Sequence, residues 1–496
     1  MLKKGNAIFY GAILLTGANF LLRLAAMSFQ VYLSGRIGPA GIGLLQLVLS
    51  VTALSFTVGS AGVRTCAMYL SAGELGRNRP ERIDSILNGC CRYAVLFGGL
   101  TALVLWHTAP RLASEWMGSP AAAPALRLYA LFLPVKCLHG VLTGYFTAAE
   151  RVKGMVLTAF LEQGCSMLVT FLLLTNWAGA DTGRAAFSVV AGSCAATVLA
   201  FLLLSAMRRK KFPRQRFRDR RTPPYGRIFR ISLPLALADT LRSGLNTIED
   251  LMIPRQLALY SGTVDAMADY GIVRGMVFPV LMFPAAILFS LAELLVPEFS
   301  RCAARGSKNR VQYLAKQGLR VSLLFGLCAG SLLFTAADSL GKLLYQNEQV
   351  GRLLRLYALF VPMLYMDAIV DAMCKGLGQQ NANARYNTFT SFLDVVLLWV
   401  LLPRLGLTGY YFGFAIAHIV NFMLSLRRLV LTSGIRPEPP LCAILCTVGA
   451  CAGAALFPAG GMRILFCLLF LLLSWLLTGV VSRDDAVWLY RLTGGR

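Results

Sequence analysis

Charged residues are scarce in this sequence. They make up 14% of the 496 residues, whereas apolar residues make up 57%, and the mean hydropathy is +0.63. Because soluble globular proteins carry about 25% charged residues, this composition excludes that class. Among the charged residues the acidic ones are fewer, with 23 Asp and Glu against 48 Lys and Arg. The net charge is therefore +25 at pH 7. Such an excess is typical of proteins that contact nucleic acid or anionic lipid, and the apolar content favours lipid.

Residues and motifs for metal binding and catalysis are also few. The chain has only three histidines, and its 13 cysteines form no CxxC pair. We therefore expect no metal site and no cofactor, and we interpret the cysteines as reduced, small apolar residues. No GxxxxGK[ST], GxSxG or HExxH motif occurs, which excludes a P-loop ATPase and argues against an enzyme.

Apolar stretches long enough to cross a bilayer recur along the whole chain. Each needs about 20 residues for a hydrocarbon core of roughly 30 Å. The first follows Lys3 and Lys4, as in a signal peptide, but is long enough to be a retained helix. The sequence predicts an all-α polytopic membrane protein with about fourteen helices, at residues 7–33, 41–70, 86–107, 125–149, 154–177, 185–207, 228–254, 270–298, 314–337, 353–374, 386–403, 408–426, 439–457 and 462–482.

The basic residues predict the orientation of these helices. If the N-terminus is cytoplasmic, the inside segments hold 29 Lys and Arg and the outside segments hold 8. Cytoplasmic loops of membrane proteins are enriched in Lys and Arg. Both termini are therefore expected on the cytoplasmic side of the membrane.

The longest polar interruption divides the chain into halves. The stretch 208–227 holds ten Lys and Arg, and we interpret it as a cytoplasmic linker that touches anionic lipid headgroups. A nucleic-acid arm is the alternative, but the aromatic residues beside these charges are few. The predicted organisation is an N-lobe of helices 1–6 (1–210), the linker (211–227), a C-lobe of helices 7–12 (228–430), and two further helices with a cytoplasmic tail (431–496).

The halves share a sequence repeat. Residues 126–134 read LRLYALFLP and residues 354–362 read LRLYALFVP, with eight identities in nine positions. These copies begin the fourth and the tenth predicted helix, so six helices separate them. Because an even number of crossings preserves direction, the lobes are predicted to be parallel repeats, an arrangement found in secondary transporters with a site between the repeats.

Polar residues inside the spans are the candidate site residues, since ionisable groups are costly in a membrane. In the first helix Thr16, Asn19, Arg23 and Gln30 share one face of about 60°. In the seventh helix a similar polar face holds Asp239, Arg242, Asn246, Glu249 and Asp250. We expect these faces to line a hydrated cavity. The alternative for Asp239 and Arg242, three residues apart, is a structural ion pair.

Charge within the spans differs in sign between the halves. The first half carries a balance of +4, with Glu162 as its single acid, and the second half carries −2. A cationic lobe suits an anionic diphosphate, and an acidic lobe suits a coupling Na⁺ or H⁺. The candidate cations are Arg23, Arg64, Lys136, Arg242 and Arg274. The candidate coupling acids are Asp239, Glu249, Asp250, Asp367, Asp371 and Asp394, for which hydrogen bonding between helices is the alternative role.

Several segments resemble one transporter family. They are RIGPAGIGLLQLVLSV at 36–51, GYFTAAERVKGM at 144–155, IEDLMIPRQL at 248–257, YGIVRGMVFPVLMFPAAILFSLAELLVPEFS at 270–300 and GLGQQNANARYN at 376–387. In this order they resemble the stage V sporulation protein B group of polysaccharide exporters, in the superfamily that includes the lipid II flippases and the multidrug and toxin extrusion (MATE) transporters. One difference is at residues 144–148, which read GYFTA, whereas members of this family usually read GYFQG.

The resemblance implies two six-helix lobes that alternate between inward-open and outward-open states. Its implied cargo is an undecaprenyl-diphosphate-linked oligosaccharide or peptidoglycan precursor, for cell-wall, spore-cortex or polysaccharide synthesis, and cell-wall synthesis proteins are implied as partners. By helix position it implies Arg23, Arg64 and Arg274 as cavity residues. The alternatives are a MATE-type cation-coupled drug exporter and, from another class, a non-transporting scaffold for cell-wall synthases.

Overall fold

The fold is described from a computed structural model of the chain. It describes residues 2–77, 80–149, 151–179, 181–211, 225–435, 441–458 and 460–481. All regular structure in these ranges is helical, which confirms the predicted all-α class. Most of the predicted linker and the tail after residue 481 lie outside the described residues.

Residues close in space fall into two compact units. The first contains the described residues of Met1–Leu22, Tyr32–Leu259 and Thr263–Gly271. Its helices are α1 (Leu2–Ser60), α2 (Val63–Gly76), α3 (Ile83–Arg111), α4 (Ala123–Ala148), α5 (Val152–Leu173), α6 (Thr182–Lys211), α7 (Tyr225–Leu257) and α8 (Ala266–Tyr270).

The second unit contains the described residues of Arg23–Val31, Tyr260–Gly262 and Ile272–Arg496. It includes part of α1 and most of a π-helical segment, Gly271–Val277. The remaining helices are α9 (Phe278–Met282), α10 (Ala285–Ala304), α11 (Lys308–Tyr345), α12 (Glu348–Ala358), α13 (Val361–Gly376), α14 (Gln380–Leu405), α15 (Leu407–Ser433), α16 (Leu441–Ala454) and α17 (Gly461–Leu477).

The contacts of α7 divide the chain differently from the predicted lobes. This helix packs against α2 and α3 in the first unit, whereas the sequence analysis assigned it to the C-lobe. Gly62 permits the close approach, because a Cβ at this position would lie 2.8 Å from the carbonyl oxygen of Ser232 in α7. The boundary between the two units thus lies after α7, whereas the predicted boundary between the lobes is the basic linker before α7.

Eight helices in the described part are long and apolar enough to cross a membrane, and two bent pairs of helices meet the same criteria together. Each of the fourteen predicted spans overlaps a helix, but the count of fourteen crossings stays a prediction. The first long helix, α1, holds the first predicted span and part of the second, which continues into α2. It is interrupted at Gly38, whose backbone has φ 69° and ψ 177°, and Pro39 follows.

Two predicted spans are bent where proline breaks the helical hydrogen bonding. The segment Ala266–Met282 meets α10 at 61°, next to Pro284, and α12 meets α13 at 56°, next to Pro362. Proline removes a backbone donor and clashes with the preceding turn. Pro134 and Pro234, which occur in similar apolar stretches, lie inside continuous helices instead.

The repeated nonamer buries the same positions in both copies. In α4 these are Leu126, Tyr129, Ala130 and Leu133, and in α12 and α13 they are Leu354, Tyr357, Ala358 and Val361. The matched arginines also make the same kind of contact. Arg127 lies 5.7 Å from the ring of Trp106, and Arg355 lies 5.9 Å from the ring of Phe334. Each arginine thereby contacts the helix that precedes its own.

The last two helices pack on the side of α11. Leu324 and Leu327 of α11 form a buried cluster with Ala443, Leu471 and Trp475. The rest of α16 and α17 leaves leucines such as Leu445 and Leu473 exposed, as expected for helix faces in contact with lipid tails.

Candidate functional site

The first unit holds a polar cluster around Lys136, in the middle of α4. The Lys136 ammonium group donates to the hydroxyl groups of Ser193 at 2.9 Å and Thr197 at 3.0 Å, both on α6. It also lies 5.2 Å from the ring of Tyr129. Ser193 and Thr197 are one helical turn apart, so both point toward the same side of α6.

Glu162 of α5 belongs to the same cluster. Its carboxylate interacts with Thr197 and is attracted by the charge of Lys136. The first half's single span carboxylate is thus close to a cation on a neighbouring helix. This arrangement satisfies two groups that would be costly in a membrane if left alone.

Arg64 and Arg242 differ from Lys136 because their side chains are exposed. Among the described residues, neither guanidinium group makes a hydrogen bond or an ion pair. The backbone of Arg64 is held closely, since a Cβ on Gly144 of α4 would lie 2.3 Å from the Arg64 carbonyl oxygen. The backbone of Arg64 on α2 is therefore fixed in position, while its side chain is exposed.

The polar face of α7 separates into an exposed and a buried part. Asp239, Arg242 and Asn246 are exposed, and within the described chain Asp239 and Arg242 do not form the ion pair considered above. Glu249 is buried, and Asp250 accepts a hydrogen bond of 2.7 Å from the hydroxyl of Ser50 in α1. Thr247 adds a second contact between α7 and α1, because its hydroxyl donates to the Ser50 carbonyl oxygen at 3.2 Å.

The polar face of the first helix makes different contacts along its length. Asn19, in the first unit, is exposed. Arg23, in the second unit, is exposed and lies 5.0 Å from the ring of Phe289. Gln30 is half-buried, and its side-chain amide donates to the carbonyl oxygen of Gly275 at 3.1 Å.

Arg274 lies on the π-helical segment of the second unit. Its guanidinium group is 5.8 Å from the ring of Phe278, and its charge attracts the carboxylate of Asp394 on α14. Asp394 is only 6% exposed, and its Oδ1 atom has no hydrogen-bond donor. The π-helical turn thus places a cation beside a buried acid.

A second group of polar residues joins α13, α14 and α15. Asn421 donates to Asp367 at 3.2 Å, and Asn383 donates to Asp371 at 2.9 Å. Lys375 forms an ion pair with Asp371 at 2.5 Å. Two buried oxygen atoms in this group, Oδ1 of Asp367 and Oδ1 of Asn383, have no hydrogen-bond donor, and Asn383 is only 2% exposed.

Metal ligation of the usual kind is not seen in these groups. Within the described ranges, no three His, Cys, Asp or Glu side chains are close enough together to hold a metal ion. The oxygen atoms around Asp367 and Asp371 come from two carboxylates and from amide groups, a set that suits a hard cation or a proton.

Sequence reasoning missed the uncharged partners in these groups. These partners lie in or beside predicted spans but carry no charge, so they are less conspicuous in the sequence than ionisable residues: Ser193, Thr197, Asn383 and Asn421. The spacing of four between Ser193 and Thr197 on an apolar helix was the available signal.

A family model decides the relationship of this chain to known proteins. The model described as "Polysaccharide biosynthesis protein" matches residues 8–303. The chain belongs to this family. Within the chain, the match covers α1 to α9 and most of α10, so it includes Arg23, Arg64, Lys136, Arg242 and Arg274.

Two curated relatives support the family assignment. Stage V sporulation protein B of Bacillus subtilis (strain 168) is 22% identical over 410 residues, which cover 80% of this chain and 79% of that protein. Sporulation protein YkvU of the same organism is 22% identical over 425 residues, which cover 82% of this chain and 92% of that protein.

Solved structures show the same fold. Lipid II flippase MurJ in an inward closed conformation has a TM-score of 0.65 with 12% identity, covering 97% of this chain and 99% of MurJ. An inward-facing MATE multidrug transporter has a TM-score of 0.63 with 16% identity, covering 85% of this chain and 99% of that chain. This family member is therefore a multi-pass membrane protein, and it shares its fold with membrane transporters and a lipid II flippase.

Proposed function

We propose that this protein is a flippase that moves a polyprenyl-diphosphate-linked saccharide across the bacterial cytoplasmic membrane by alternating access. Support comes from the family, which is described by polysaccharide biosynthesis, and from the shared fold with a lipid II flippase. In this proposal the lipid tail stays in the bilayer while the diphosphate and the saccharide pass through a hydrated cavity. Both termini are proposed to face the cytoplasm.

The observation that carries the proposal is the exposure of Arg64 and Arg242. Both residues lie in predicted membrane spans, 41–70 and 228–254, and neither has an acidic partner among the described residues. An unpaired arginine that faced lipid would be strongly unfavourable, so such residues face water or a ligand. Arg23, in the second unit, is also exposed and has an aromatic contact in place of an acidic partner. We propose the same role for it.

The chemistry of these side chains suits a diphosphate. The guanidinium group is always charged and presents its N–H donors in a planar fork that matches two phosphate oxygens. It also remains charged throughout the transport cycle, unlike histidine. A guanidinium group can therefore bind the one part of the cargo that is common to all polyprenyl-diphosphate saccharides.

We propose that the carboxylates of the second unit couple transport to a cation gradient. Asp367 and Asp371 lie close enough to repel each other electrostatically, and oxygen atoms without donors occur beside them. Binding of Na⁺ or H⁺ relieves this repulsion. Asp394 is the other candidate, because its buried Oδ1 atom has no donor.

The same acidic group favours a second function, cation-coupled drug export, which would agree with the MATE-like fold. The exposed arginines oppose it, since an exporter of cationic drugs would hold its cargo with acids. A scaffold for cell-wall synthases is the third outcome that an experiment must separate.

Flipping by purified protein in liposomes tests the proposal. The probe is a fluorescent polyprenyl-diphosphate saccharide, and the variants are Arg64→Gln and Arg242→Gln. We expect each variant to lose about tenfold or more, because a charge-assisted hydrogen bond contributes about 1.5–3 kcal/mol. Arg184→Gln is the matched control, since Arg184 forms an exposed ion pair with Asp181. Wild-type protein that moves no lipid-linked saccharide but exports a cationic dye would establish the drug exporter, and no transport of either would favour the scaffold.

A further inference from the structure

The repeat between the halves extends into the helix that precedes each nonamer. At the spacing that separates the two nonamers, Trp106 of α3 matches Phe334 of α11. Two further matched pairs are identical in type and buried in both helices: Leu105 with Leu333, and Ala109 with Ala337. The rings that lie beside Arg127 and Arg355 are therefore matched positions themselves, and the two arginine–aromatic contacts are copies of one arrangement.

The two copies differ in one acidic residue. In the second unit Arg355 forms an ion pair with Asp338, which lies on α11 one turn after Phe334. The position in α3 that matches Asp338 is Pro110. Within the described part of the chain, Arg127 has no acidic partner, and its contact is the ring of Trp106 at 5.7 Å. The same arrangement thus contains its own counter-ion in the second unit and lacks one in the first.

Arg127 lies where an apolar surface of the first unit ends. On α4, Leu131 follows Arg127 by one turn and is 65% exposed. On α3, Leu100 and Leu103 are exposed, and Trp106, further toward the end of the helix, is exposed as well. Exposed leucines on membrane helices are expected to contact lipid tails, and tryptophan is enriched where the tails meet the headgroups. Arg127 is therefore expected at the level of the lipid phosphates.

The chemistry of this position suits a phosphate group. An arginine presents its N–H donors in a planar fork that pairs with two oxygen atoms of a carboxylate or of a phosphate. The ring of Trp106 attracts the cation through its face, and this contact leaves the N–H groups at the edge of the guanidinium plane available. A phosphatidylcholine phosphate is already neutralised by the choline of the same headgroup, whereas an anionic phospholipid carries a charge that needs a cation.

We propose that Arg127 and Trp106 form a binding site for the phosphate of an anionic glycerophospholipid of the surrounding bilayer. The phosphate takes the place that the Asp338 carboxylate holds beside Arg355 in the second unit. This site holds a structural lipid on the outside of the helices, and it is independent of the proposed transport of a lipid-linked saccharide.

Lipid affinities of the purified protein test this proposal. Native mass spectrometry compares phosphatidylglycerol with phosphatidylcholine for the wild type, Arg127→Gln and Pro110→Asp. Each variant is expected to lose about fivefold in affinity for phosphatidylglycerol, the contribution of one arginine near anionic lipid. Pro110→Asp keeps Arg127 but supplies the acid that the second copy has. Affinity for phosphatidylcholine should change little.

The matched control is Arg184→Gln, which alters the net charge by the same amount. Arg184 also lies beside a tryptophan, 5.6 Å from the ring of Trp177, but it already has an acidic partner in Asp181. This variant should therefore bind phosphatidylglycerol almost as the wild type does. The basic linker is present in every variant, so its own attraction for anionic lipid cancels in the comparison.

The second copy offers the reciprocal experiment. Asp338→Asn removes the internal counter-ion of Arg355 and is expected to raise the affinity for phosphatidylglycerol by about fivefold. Adding Arg355→Gln should abolish this gain, at the same net charge as the wild type. Thermal midpoints in detergent identify any variant that is not folded, and if Pro110→Asp is one, Arg127→Gln and the reciprocal pair decide.

Three results would overturn the proposal. The first is an unchanged affinity for phosphatidylglycerol in folded Arg127→Gln. The second is an equal loss of affinity for phosphatidylglycerol and phosphatidylcholine, which would indicate apolar contact without phosphate recognition. The third is slower saccharide flipping by Arg127→Gln at unchanged lipid affinity, which would assign Arg127 to the cargo. If the wild type flips no lipid-linked saccharide, the proposed function fails, and the lipid affinities still decide the role of Arg127.

Discussion

The ammonium group of Lys136 donates to the hydroxyl of Ser193 at a distance of 2.9 Å, which ties the middle of α4 to α6. Thr197 and Glu162 complete the surroundings of this cation. Lys136 was a candidate cargo-binding residue in the sequence analysis, and that role stays a prediction. Its contacts within the first unit instead favour a part in joining α4, α5 and α6.

Lys136→Met is therefore expected to destabilise the protein. The variant removes the hydrogen bonds of a charged group, which contribute about 1.5–3 kcal/mol each, and leaves Glu162 without its cation. Adding Glu162→Gln should restore part of the thermal midpoint in detergent. Lys308→Met, at an exposed position, is the control and should change the midpoint little. A normal midpoint with lost transport in Lys136→Met would show that Lys136 serves the cargo instead.

Gly144→Ala is expected to destabilise the contact between α2 and α4. The added Cβ would lie 2.3 Å from the carbonyl oxygen of Arg64, so the two backbones must separate at a cost of about 1–3 kcal/mol. The matched control is Gly164→Ala in α5, where nothing lies within 4 Å, and it should stabilise by about 0.5–1 kcal/mol through helix propensity. Thermal unfolding of the purified variants compares them. Equal midpoints for both would contradict the close helix approach seen here.

The repeat predicts paired effects of substitution in the two halves. Leu126→Ala and Leu354→Ala remove fully buried side chains at matched positions, and each should cost about 2–5 kcal/mol. Leu131 and Leu359 are also matched, but they are 65% and 59% exposed, so their alanine variants should stay within about 0.5 kcal/mol of the wild type. Unfolding midpoints of the four variants test the pairing. A tolerant Leu126→Ala beside a damaging Leu354→Ala would mean that the two copies are not equivalent.

Asp367→Asn is expected to remove the response of transport to the coupling cation. The amide keeps the shape of the side chain but cannot gain the attraction that a carboxylate has for Na⁺ or H⁺. Transport in liposomes with a Na⁺ gradient, an H⁺ gradient or neither measures the response. Glu348→Gln is the control, because it breaks only an exposed ion pair with Lys342, and such pairs contribute little. If neither gradient changes the transport rate of the wild type, Asp367 and Asp371 have a structural role.

Hydropathy was sufficient to predict the helical segments, because a membrane helix must hide its backbone polar groups within one continuous apolar stretch. It was not sufficient to predict the bends. Pro134 and Pro362 end the two copies of one nonamer, yet α4 continues through Pro134 whereas the second copy breaks before Pro362. The surrounding helices decide between these outcomes, and a single sequence does not describe them.

The candidate residues were found because charge in a membrane span is conspicuous, but their partners were not. The sequence places Gln30 on a polar face of the first helix, while its hydrogen bond to Gly275 depends on a contact across 245 residues. The same holds for Asp250 and Ser50, which are 200 residues apart. Periodicity indicates which side of a helix is polar, and only the packing of distant segments shows what that side meets.

The bend between α12 and α13 has a mechanical consequence for a duplicated protein. The first copy of the nonamer lies in α4, a helix that stays continuous although Pro134 lacks an N–H donor, and this segment resists flexing. The second copy lacks some helical hydrogen bonds at its 56° bend, so flexing at the bend breaks fewer hydrogen bonds than flexing in α4 would. Nearly the same nine residues thus lie in a stiff, continuous helix in one half and at a flexible bend in the other. The two copies of the sequence therefore differ in stiffness.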